Sequence, residues 1–326
     1  MLSAQGLMKS YGNQKILADV ILELAKGEIV SVVGSSGSGK TTLLRLISGL
    51  EKPDSGQIIL NNKVLNGENT FTPPEKRDCS LVFQDYALFP NMSVQQNIYF
   101  GKNSVNNKKN IDQLIQITGI ANIMKKYPHQ CSGGEQQRVA LVRSLAINPS
   151  LILMDEPMSN LDSNLKTNMT RVIRGMLKKF GTTAIIVTHD IMDAMIMSDR
   201  IAVLDEGKIM QIGEPEEVYK NPQSKKIALL FGETNFIPLD MFPTSKSKFF
   251  DVETNEHLIS IRPGHFILPD ESKVSGPKVF SGEIVSLRKI ATDYKIKLKC
   301  ETFDLNISLR TLLNLSVGQK LKVIAP

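Results

Sequence analysis

The chain has 326 residues, of which 41% are apolar and 22% charged, and its formal net charge is +6. These values are close to those of a soluble globular protein, so they exclude a collagen-like or wholly disordered chain. The three cysteines lack CxxC spacing, so neither a disulfide framework nor a zinc site is expected. The sequence contains no block of like charges, so no nucleic-acid partner is expected.

Residues 1–231 alternate short apolar runs with helical patterns, which predicts an α/β domain containing a parallel sheet. The runs Glu28–Gly34, Leu151–Glu156 and Ala184–His189 have the length and continuity of strands covered on both faces. Residues 1–20 lack the features of a signal peptide, and no uncharged apolar run approaches the roughly 18 residues of a membrane span. A protein on the cytoplasmic side of the membrane is therefore expected.

The segment after the first of these strands matches the pattern G-x-x-x-x-G-K-[ST] in full and leads into a helical pattern. Its residues are Gly34, Ser35, Ser36, Gly37, Ser38, Gly39, Lys40 and Thr41, followed by Thr42. Glycines let backbone N–H groups cradle phosphate oxygens, and the helix N-terminus adds a partial positive charge. In such a loop Lys40 reaches the β- and γ-phosphates and the Thr41 hydroxyl ligates Mg²⁺. The motif predicts a phosphate site, but it does not separate a kinase, a GTPase and an ATPase.

Two later strands end in side chains suited to the same chemistry. Asp155 and Glu156 follow one apolar run, and His189 ends the next. Asp155 is predicted to hold Mg²⁺ directly or through a water, and Glu156 to polarise an attacking water. His189 is predicted to sense the γ-phosphate, because the carboxyl end of a parallel strand lies on the ligand edge of the sheet.

Two regions depart from the α/β pattern. Residues 91–145, approximately, have helical patterns without strands, apart from a polar loop over 102–110, and are interpreted as a helical insertion. Residues 235–326 alternate polar and apolar side chains, which predicts a small all-β domain, either a barrel or a sandwich. The alternation changes phase near Glu301 and Thr302, and this predicts a hairpin turn or a bulge.

One run of residues resembles the signature motif of ATP-binding cassette (ABC) ATPases, usually L-S-G-G-Q. The run is Ser132, Gly133, Gly134, Glu135, Gln136, Gln137 and Arg138. Together with the phosphate loop, the Asp155–Glu156 strand and His189, the resemblance covers about residues 1–231. It implies an ABC cassette in which two copies pair head to tail and sandwich two ATP molecules. Ser132, Gly133 and Gly134 of one copy would then complete the site on the other.

The same resemblance implies roles for three further positions. Tyr11 is similar to the aromatic residue that stacks on adenine, and Gln84 to the glutamine that touches Mg²⁺ and the water. Asp162 lies in a loop similar to the one that meets the opposite subunit. Cys131 and Glu135 replace the usual leucine and glutamine, and we expect that restoring both changes ATP turnover by less than roughly tenfold.

The C-terminal region resembles the OB-like regulatory domain of importer ATPases through the segments Phe231–Phe236 and Ile261–Gly264. The resemblance implies the ATP-hydrolysing subunit of a bacterial importer, peripheral on the cytoplasmic face of the inner membrane. Its implied partners are a second copy, two integral membrane permease subunits and, indirectly, a periplasmic or surface substrate-binding protein. The run Gln113–Pro128, together with Ser132–Leu145, is most similar to ATPases of ferric iron importers. Polyamine, sulfate and sugar importers and a soluble non-transport ABC ATPase are the alternatives, and no iron site is expected on this subunit.

Overall fold

The computed structural model describes residues 1–101, 107–159, 163–242, 248–251, 255–269, 278–311 and 314–325. The chain divides into two compact units, Met1–Pro215 and Glu216–Pro326. The sequence placed this boundary near residue 231, whereas in the structure the two short helices before that point group with the C-terminal strands.

A six-stranded sheet lies at the centre of the first unit. Its strands, in spatial order, are β11 (Lys208–Gly213), β10 (Arg200–Asp205), β3 (Ile29–Val33), β9 (Thr183–Val187), β8 (Leu151–Asp155) and β7 (Cys79–Val82). All neighbouring pairs are parallel except β10 and β11. Every residue of β3 and β9 is buried, which explains why their sequences are continuous apolar runs. The carboxyl ends of β3, β9 and β8 therefore lie side by side at one edge of the sheet.

A five-stranded antiparallel sheet faces one side of this central sheet across a shared core. It consists of β2 (Gln14–Leu24), β1 (Leu2–Tyr11), β4 (Ser55–Leu60), β5 (Lys63–Gly67) and β6 (Thr70–Phe71). The first helix, α1 (Lys40–Ser48), fills the core between the sheets. Leu43, Leu44, Leu46 and Ile47 of α1 are buried against residues of both sheets. Burial on several sides fixes the position of α1, and thus of the loop that precedes it.

Five further helices cover the opposite face of the central sheet. They are α2 (Val94–Ile98), α3 (Lys108–Thr118), α4 (Gly133–Ala146), α5 (Ser163–Phe180) and α6 (Ile191–Met197). α2, α3 and α4 occupy the predicted helical insertion, and in the described residues no strand lies between β7 and β8. The loop predicted over 102–110 is wrong at its end, because α3 begins at Lys108 and buries Ile111; residues 102–106 lie outside the described ranges. None of the helices in the described residues combines the length and hydrophobicity of a membrane span.

The second unit contains α7 (Pro215–Lys220), α8 (Lys225–Leu230) and two antiparallel sheets. The first sheet has the order β12 (Asn235–Pro238), β14 (Glu256–Ile261), β13 (Lys248–Asp251), and the second β17 (Asp304–Arg310), β16 (Asp293–Lys299), β15 (Lys278–Ile290), β18 (Lys320–Ala325). Buried side chains of both sheets form one core. This arrangement is consistent with the predicted OB-like domain.

The change of phase in the C-terminal alternation is a hairpin turn. Leu298 of β16 pairs with Leu305 of β17, and both side chains are buried. The turn between them is closed by the Cys300 N–H, which donates to the Phe303 carbonyl at 3.0 Å. Because this register pairs even-numbered residues with odd-numbered ones, the buried positions change parity across the turn.

Candidate active site

The loop between β3 and α1 needs glycine at two of its motif positions. Gly39 is the N-cap of α1 with φ +102°, and a Cβ added there would lie 2.6 Å from Leu17 Cδ2 of β2. A Cβ on Gly34 would lie 2.0 Å from the Leu204 backbone oxygen of β10. The motif glycines therefore reflect close contact with two neighbouring strands as well as backbone freedom.

The Lys40 side chain turns back into this loop. Its Nζ donates to the Gly34 carbonyl at 2.9 Å and to the Ser35 carbonyl at 2.8 Å, and only 8% of the residue is exposed. Burial lowers the pKa of Lys40, while the carboxylates of Glu156 and Asp155 favour its charged form. The ammonium group is therefore held where a phosphate in the loop would receive a charge-assisted hydrogen bond.

Side chains from α1, β8 and β9 meet beside the loop. The Thr41 hydroxyl donates to Asp155 Oδ1 at 3.3 Å, and His189 Nδ1 lies 3.1 Å from Glu156 Oε2. Burial raises the pKa of the Asp155 carboxyl, and the hydrogen bond from Thr41 opposes that rise. A carboxylate that has lost part of its hydration is stabilised by a nearby cation.

The backbone of Glu156 is fixed by the neighbouring strand. Its φ is +45°, a left-handed conformation that costs a non-glycine residue about 1–3 kcal/mol. The Glu156 N–H donates to the Val187 carbonyl at 2.9 Å, and Val187 itself is paired with Asp155 between β8 and β9. Adjacent parallel strands thus bring Glu156 and His189 together although 33 positions (189 − 156) separate them in the sequence.

These groups line a cavity of about 380 Å³. The lining residues are Ile16, Ser36, Gly37, Gly39, Lys40, Thr41, Thr42, Glu156 and His189. All except Ile16 were predicted from the sequence as site residues. Ile16 lies in β2, where an ordinary strand pattern contains no signal for a binding role. Gly34, Ser35 and Ser38 belong to the same loop without lining the cavity, and Asp155 contacts the lining residue Thr41.

Tyr11, Gln84 and Asp162, which belong neither to the phosphate loop nor to the signature motif, do not line the cavity in the part of the chain that the structure describes. Tyr11 ends β1, is 46% exposed and has its hydroxyl hydrogen-bonded to the Glu51 carboxylate. Gln84 is exposed and follows β7, which is paired with β8. Asp162 lies outside the described residues.

The predicted signature motif forms the N-terminus of α4, and its residues do not line the cavity of their own chain. Ser132 is the N-cap: its Oγ accepts from the Glu135 N–H at 3.3 Å, and Glu135 Oε2 accepts from the Ser132 N–H at 2.7 Å. This reciprocal capping box gives Glu135 a local role that the usual glutamine also fills. The hydrogen bond from the Ser132 backbone lowers the pKa of Glu135. Cys131 is half-buried and packs against the helical core.

The site consists of a phosphate loop between a central strand and a buried helix, with two acids and a histidine at the ends of the neighbouring strands. This arrangement is typical of the P-loop nucleoside triphosphatases. Sequence comparison then separates the members of that class. The profile described as "ABC transporter" matches residues 17–159. "Fe(3+) ions import ATP-binding protein FbpC 2" of Haemophilus influenzae is 36% identical over 338 residues, with 99% of this chain and 94% of that protein covered.

Two further similarities extend this result. "Putrescine transport ATP-binding protein PotG" of Escherichia coli is 36% identical over 323 residues, with 92% and 85% coverage. A dimeric, post-hydrolysis structure of the ATP-binding cassette MJ0796 with ADP and Pi superposes with a TM-score of 0.57 at 29% identity, covering 66% of this chain and 99% of that one. The chain belongs to the ABC transporter family, and it is an ATP-binding protein of the ATP-hydrolysing kind. The family and fold class predicted from the motifs are confirmed.

Proposed function

We propose that this protein is the ATP-hydrolysing subunit of a bacterial importer and that it drives the uptake of ferric iron. The observation that carries the proposal is the convergence of Lys40, Glu156 and His189 on one cavity in a chain of the ABC transporter family. The iron assignment rests on similarity to an iron(III) import protein along nearly the whole of both chains.

The phosphates of ATP are bound by the loop and α1 in this proposal. Backbone N–H groups of residues 34–41 and the N-terminus of α1 face the β- and γ-phosphates. Lys40 exchanges its bonds to the Gly34 and Ser35 carbonyls for bonds to phosphate oxygens. The negative charge of the phosphates then stabilises the ammonium group, which burial has partly removed from water. The exposed ring of Tyr11 at the end of β1 is available to stack on adenine.

The side chains present also fit a magnesium ion. Thr41 Oγ1 and Asp155 Oδ1 are oxygen donors 3.3 Å apart, and hard oxygen donors shared with substrate phosphates are the usual ligands of Mg²⁺. In the described residues no group of three or more His, Cys, Asp or Glu side chains is arranged to hold a metal. The site we propose therefore combines Thr41, Asp155 and Gln84 with phosphate oxygens. Bound there, Mg²⁺ would neutralise charge on the phosphates.

Glu156 and His189 have complementary roles in hydrolysis. The Glu156 carboxylate accepts a proton from the attacking water as that water approaches the γ-phosphorus. His189, 3.1 Å from Glu156 Oε2, orients the carboxylate and contacts the γ-phosphate as a hydrogen-bond donor. The strained backbone of Glu156 keeps its side chain at the cavity before the nucleotide enters.

A second copy of the chain completes each site. Ser132 is the N-cap of α4 and Gly133 and Gly134 are its first two residues; none of the three lines the cavity of its own chain, as a dimer with exchanged signature motifs requires. Asp162 would contact the partner copy in the same dimer. Closure on ATP and opening after hydrolysis would move two membrane permease subunits, supplied by a periplasmic or surface binding protein. The protein then works on the cytoplasmic face of the inner membrane.

Polyamine uptake is the second candidate, because the putrescine transport protein is equally identical and also covers most of this chain. The decisive experiment measures cellular uptake of labelled ferric iron, putrescine and sulfate with the wild-type protein and with Glu156→Gln. The matched control is Glu68→Gln, at an exposed position distant in sequence from every motif. We expect Glu156→Gln to abolish iron uptake alone, and Glu68→Gln to preserve it.

Other outcomes correct different parts of the proposal. Loss of putrescine or sulfate uptake instead would keep the mechanism and replace the cargo. No change in any of the three would refute an importer of these cargoes. With purified protein, Glu156→Gln should retain ATP binding and lose about 10²-fold or more in turnover, the usual contribution of a general base.

A further inference from the structure

The segment after Gln84 contains two consecutive residues in an unfavourable backbone conformation. Tyr86 and Ala87 have φ values of +64° and +42°, a left-handed conformation that non-glycine residues adopt only where their surroundings hold it. The Tyr86 N–H donates to the Phe83 carbonyl at 3.0 Å, which closes a turn with Gln84 inside it. The conformation of Gln84 thus depends on what holds Tyr86 and Ala87.

Arg143 of α4 holds both residues through their carbonyl groups. Its Nη1 donates to the Ala87 carbonyl at 2.7 Å and its Nη2 to the Tyr86 carbonyl at 3.0 Å. The guanidinium carbon lies 5.5 Å from the centroid of the Phe89 ring. A planar fork that binds two successive carbonyls is a geometry that arginine provides and lysine does not.

The far end of the same segment is anchored by a second side chain. Asn97 of α2 is fully buried; its Oδ1 accepts from the Phe89 N–H at 2.9 Å, and its Nδ2 donates to the carbonyls of Phe89, Met92 and Ser93, each at 3.1 Å. With residues 89–93 fixed, a change in the Tyr86–Ala87 turn is transmitted towards Gln84 and β7.

We propose that Arg143 is a positioning residue for Gln84: its guanidinium fixes the Phe83–Ala87 turn and so links α4, which carries the signature motif, to the magnesium side of the site in the same chain. This inference rests on the proposed function, since it assigns Gln84 to Mg²⁺. Movement of α4 when a partner copy's nucleotide engages Ser132 would then displace Gln84 in its own site.

The test substitutes Arg143 by lysine in the full-length chain, which keeps the charge and loses the fork. We expect the Mg²⁺ concentration for half-maximal ATPase activity to rise about tenfold, the usual effect of removing a residue that orients a metal ligand. ATP affinity measured in EDTA should not change, because the phosphate loop is untouched. Arg171→Lys, at an exposed position of α5, is the matched control and should leave both quantities unchanged.

A double-mutant cycle separates positioning from general destabilisation. In a Gln84→Ala background, Arg143→Lys should cause no further rise in the Mg²⁺ requirement. Ala87→Pro forces φ to about −65° without altering Arg143, so it should reproduce the rise even if Arg143→Lys fails to fold.

An Arg143→Lys rise that persists in the Gln84→Ala background would overturn the inference. It would equally be overturned by an unchanged Mg²⁺ requirement in both Arg143→Lys and Ala87→Pro. A wild-type chain that neither binds nor hydrolyses ATP would instead refute the proposed function.

Discussion

The buried guanidinium of Arg77 should hold the helix of the phosphate loop in place. Arg77 is 6% exposed and follows β6 in the antiparallel sheet. Its Nη1 donates to the carbonyls of Leu46 and Ile47, at 2.9 and 2.7 Å, near the C-terminus of α1. Its other nitrogens donate to the Thr72 carbonyl at 2.7 Å and to Asn66 Oδ1 at 2.5 Å. A positive charge at this end of α1 is also favoured by the helix dipole.

We expect Arg77→Met to destabilise the first unit by about 3 kcal/mol. Hydrogen bonds from a charged donor contribute about 1.5–3 kcal/mol each, so the four that are lost contribute about 6 kcal/mol when each is taken at the lower end of that range. The gain from no longer burying a charge, several kcal/mol in most proteins, offsets roughly half of that sum. For a unit of this size the melting temperature should fall by roughly 6–12 °C.

Calorimetry of the full-length chain is the appropriate measurement, because two units need not unfold in one transition. Arg45→Met is the control: it also removes an arginine, one that belongs to α1 itself, but the Arg45 side chain is 52% exposed and is paired with Glu51 at 3.2 Å. An exposed pair of that kind contributes about 0–1 kcal/mol. Equal losses of stability in the two variants, or a loss below about 1 kcal/mol for Arg77→Met, would refute the reasoning.

Three further predictions concern the signature motif and the phosphate loop. Glu135→Gln combined with Cys131→Leu should change steady-state ATPase activity by less than roughly tenfold, because the capping box keeps an acceptor; a larger change would contradict this reading of Glu135. The pKa of Glu135 is lowered by folding, so its contribution to stability is present above its unfolded pKa and is lost as pH falls through the folded one. Urea unfolding should therefore show wild type more stable than Glu135→Gln near neutral pH, with the difference vanishing in acid. Gly39→Ala should weaken ATP binding, measured by titration calorimetry, about tenfold or more, because of backbone strain at φ +102° and contact with Leu17. Gly175→Ala on α5 is the control: the added Cβ would meet nothing within 4 Å, so ATP binding should not change.

Local chemistry made much of the site predictable. The phosphate loop follows β3 directly and leads directly into Lys40 and Thr41. Its geometry therefore follows from a few backbone dihedrals and from the helix that begins at Lys40. The same holds for Ser132 and Glu135, whose reciprocal bonds span one helical turn. The change of phase in the C-terminal alternation likewise predicted either a hairpin turn or a bulge. The pairing of Leu298 with Leu305 in the structure then showed that it is a hairpin turn.

The sequence by itself determined the family, the parallel strands and most of the residues that line the cavity, because each signal lies within one element and its flanking turn. The tertiary structure decided which distant residues support them. Arg77 reaches α1 from the segment between β6 and β7, Arg143 holds the turn around Gln84, and Ile16 lines the cavity from β2. Such contacts join segments tens of residues apart in sequence, and a single chain read in order has no periodicity or spacing that records them. They exist only once the apolar faces of the sheets and helices have packed into common cores.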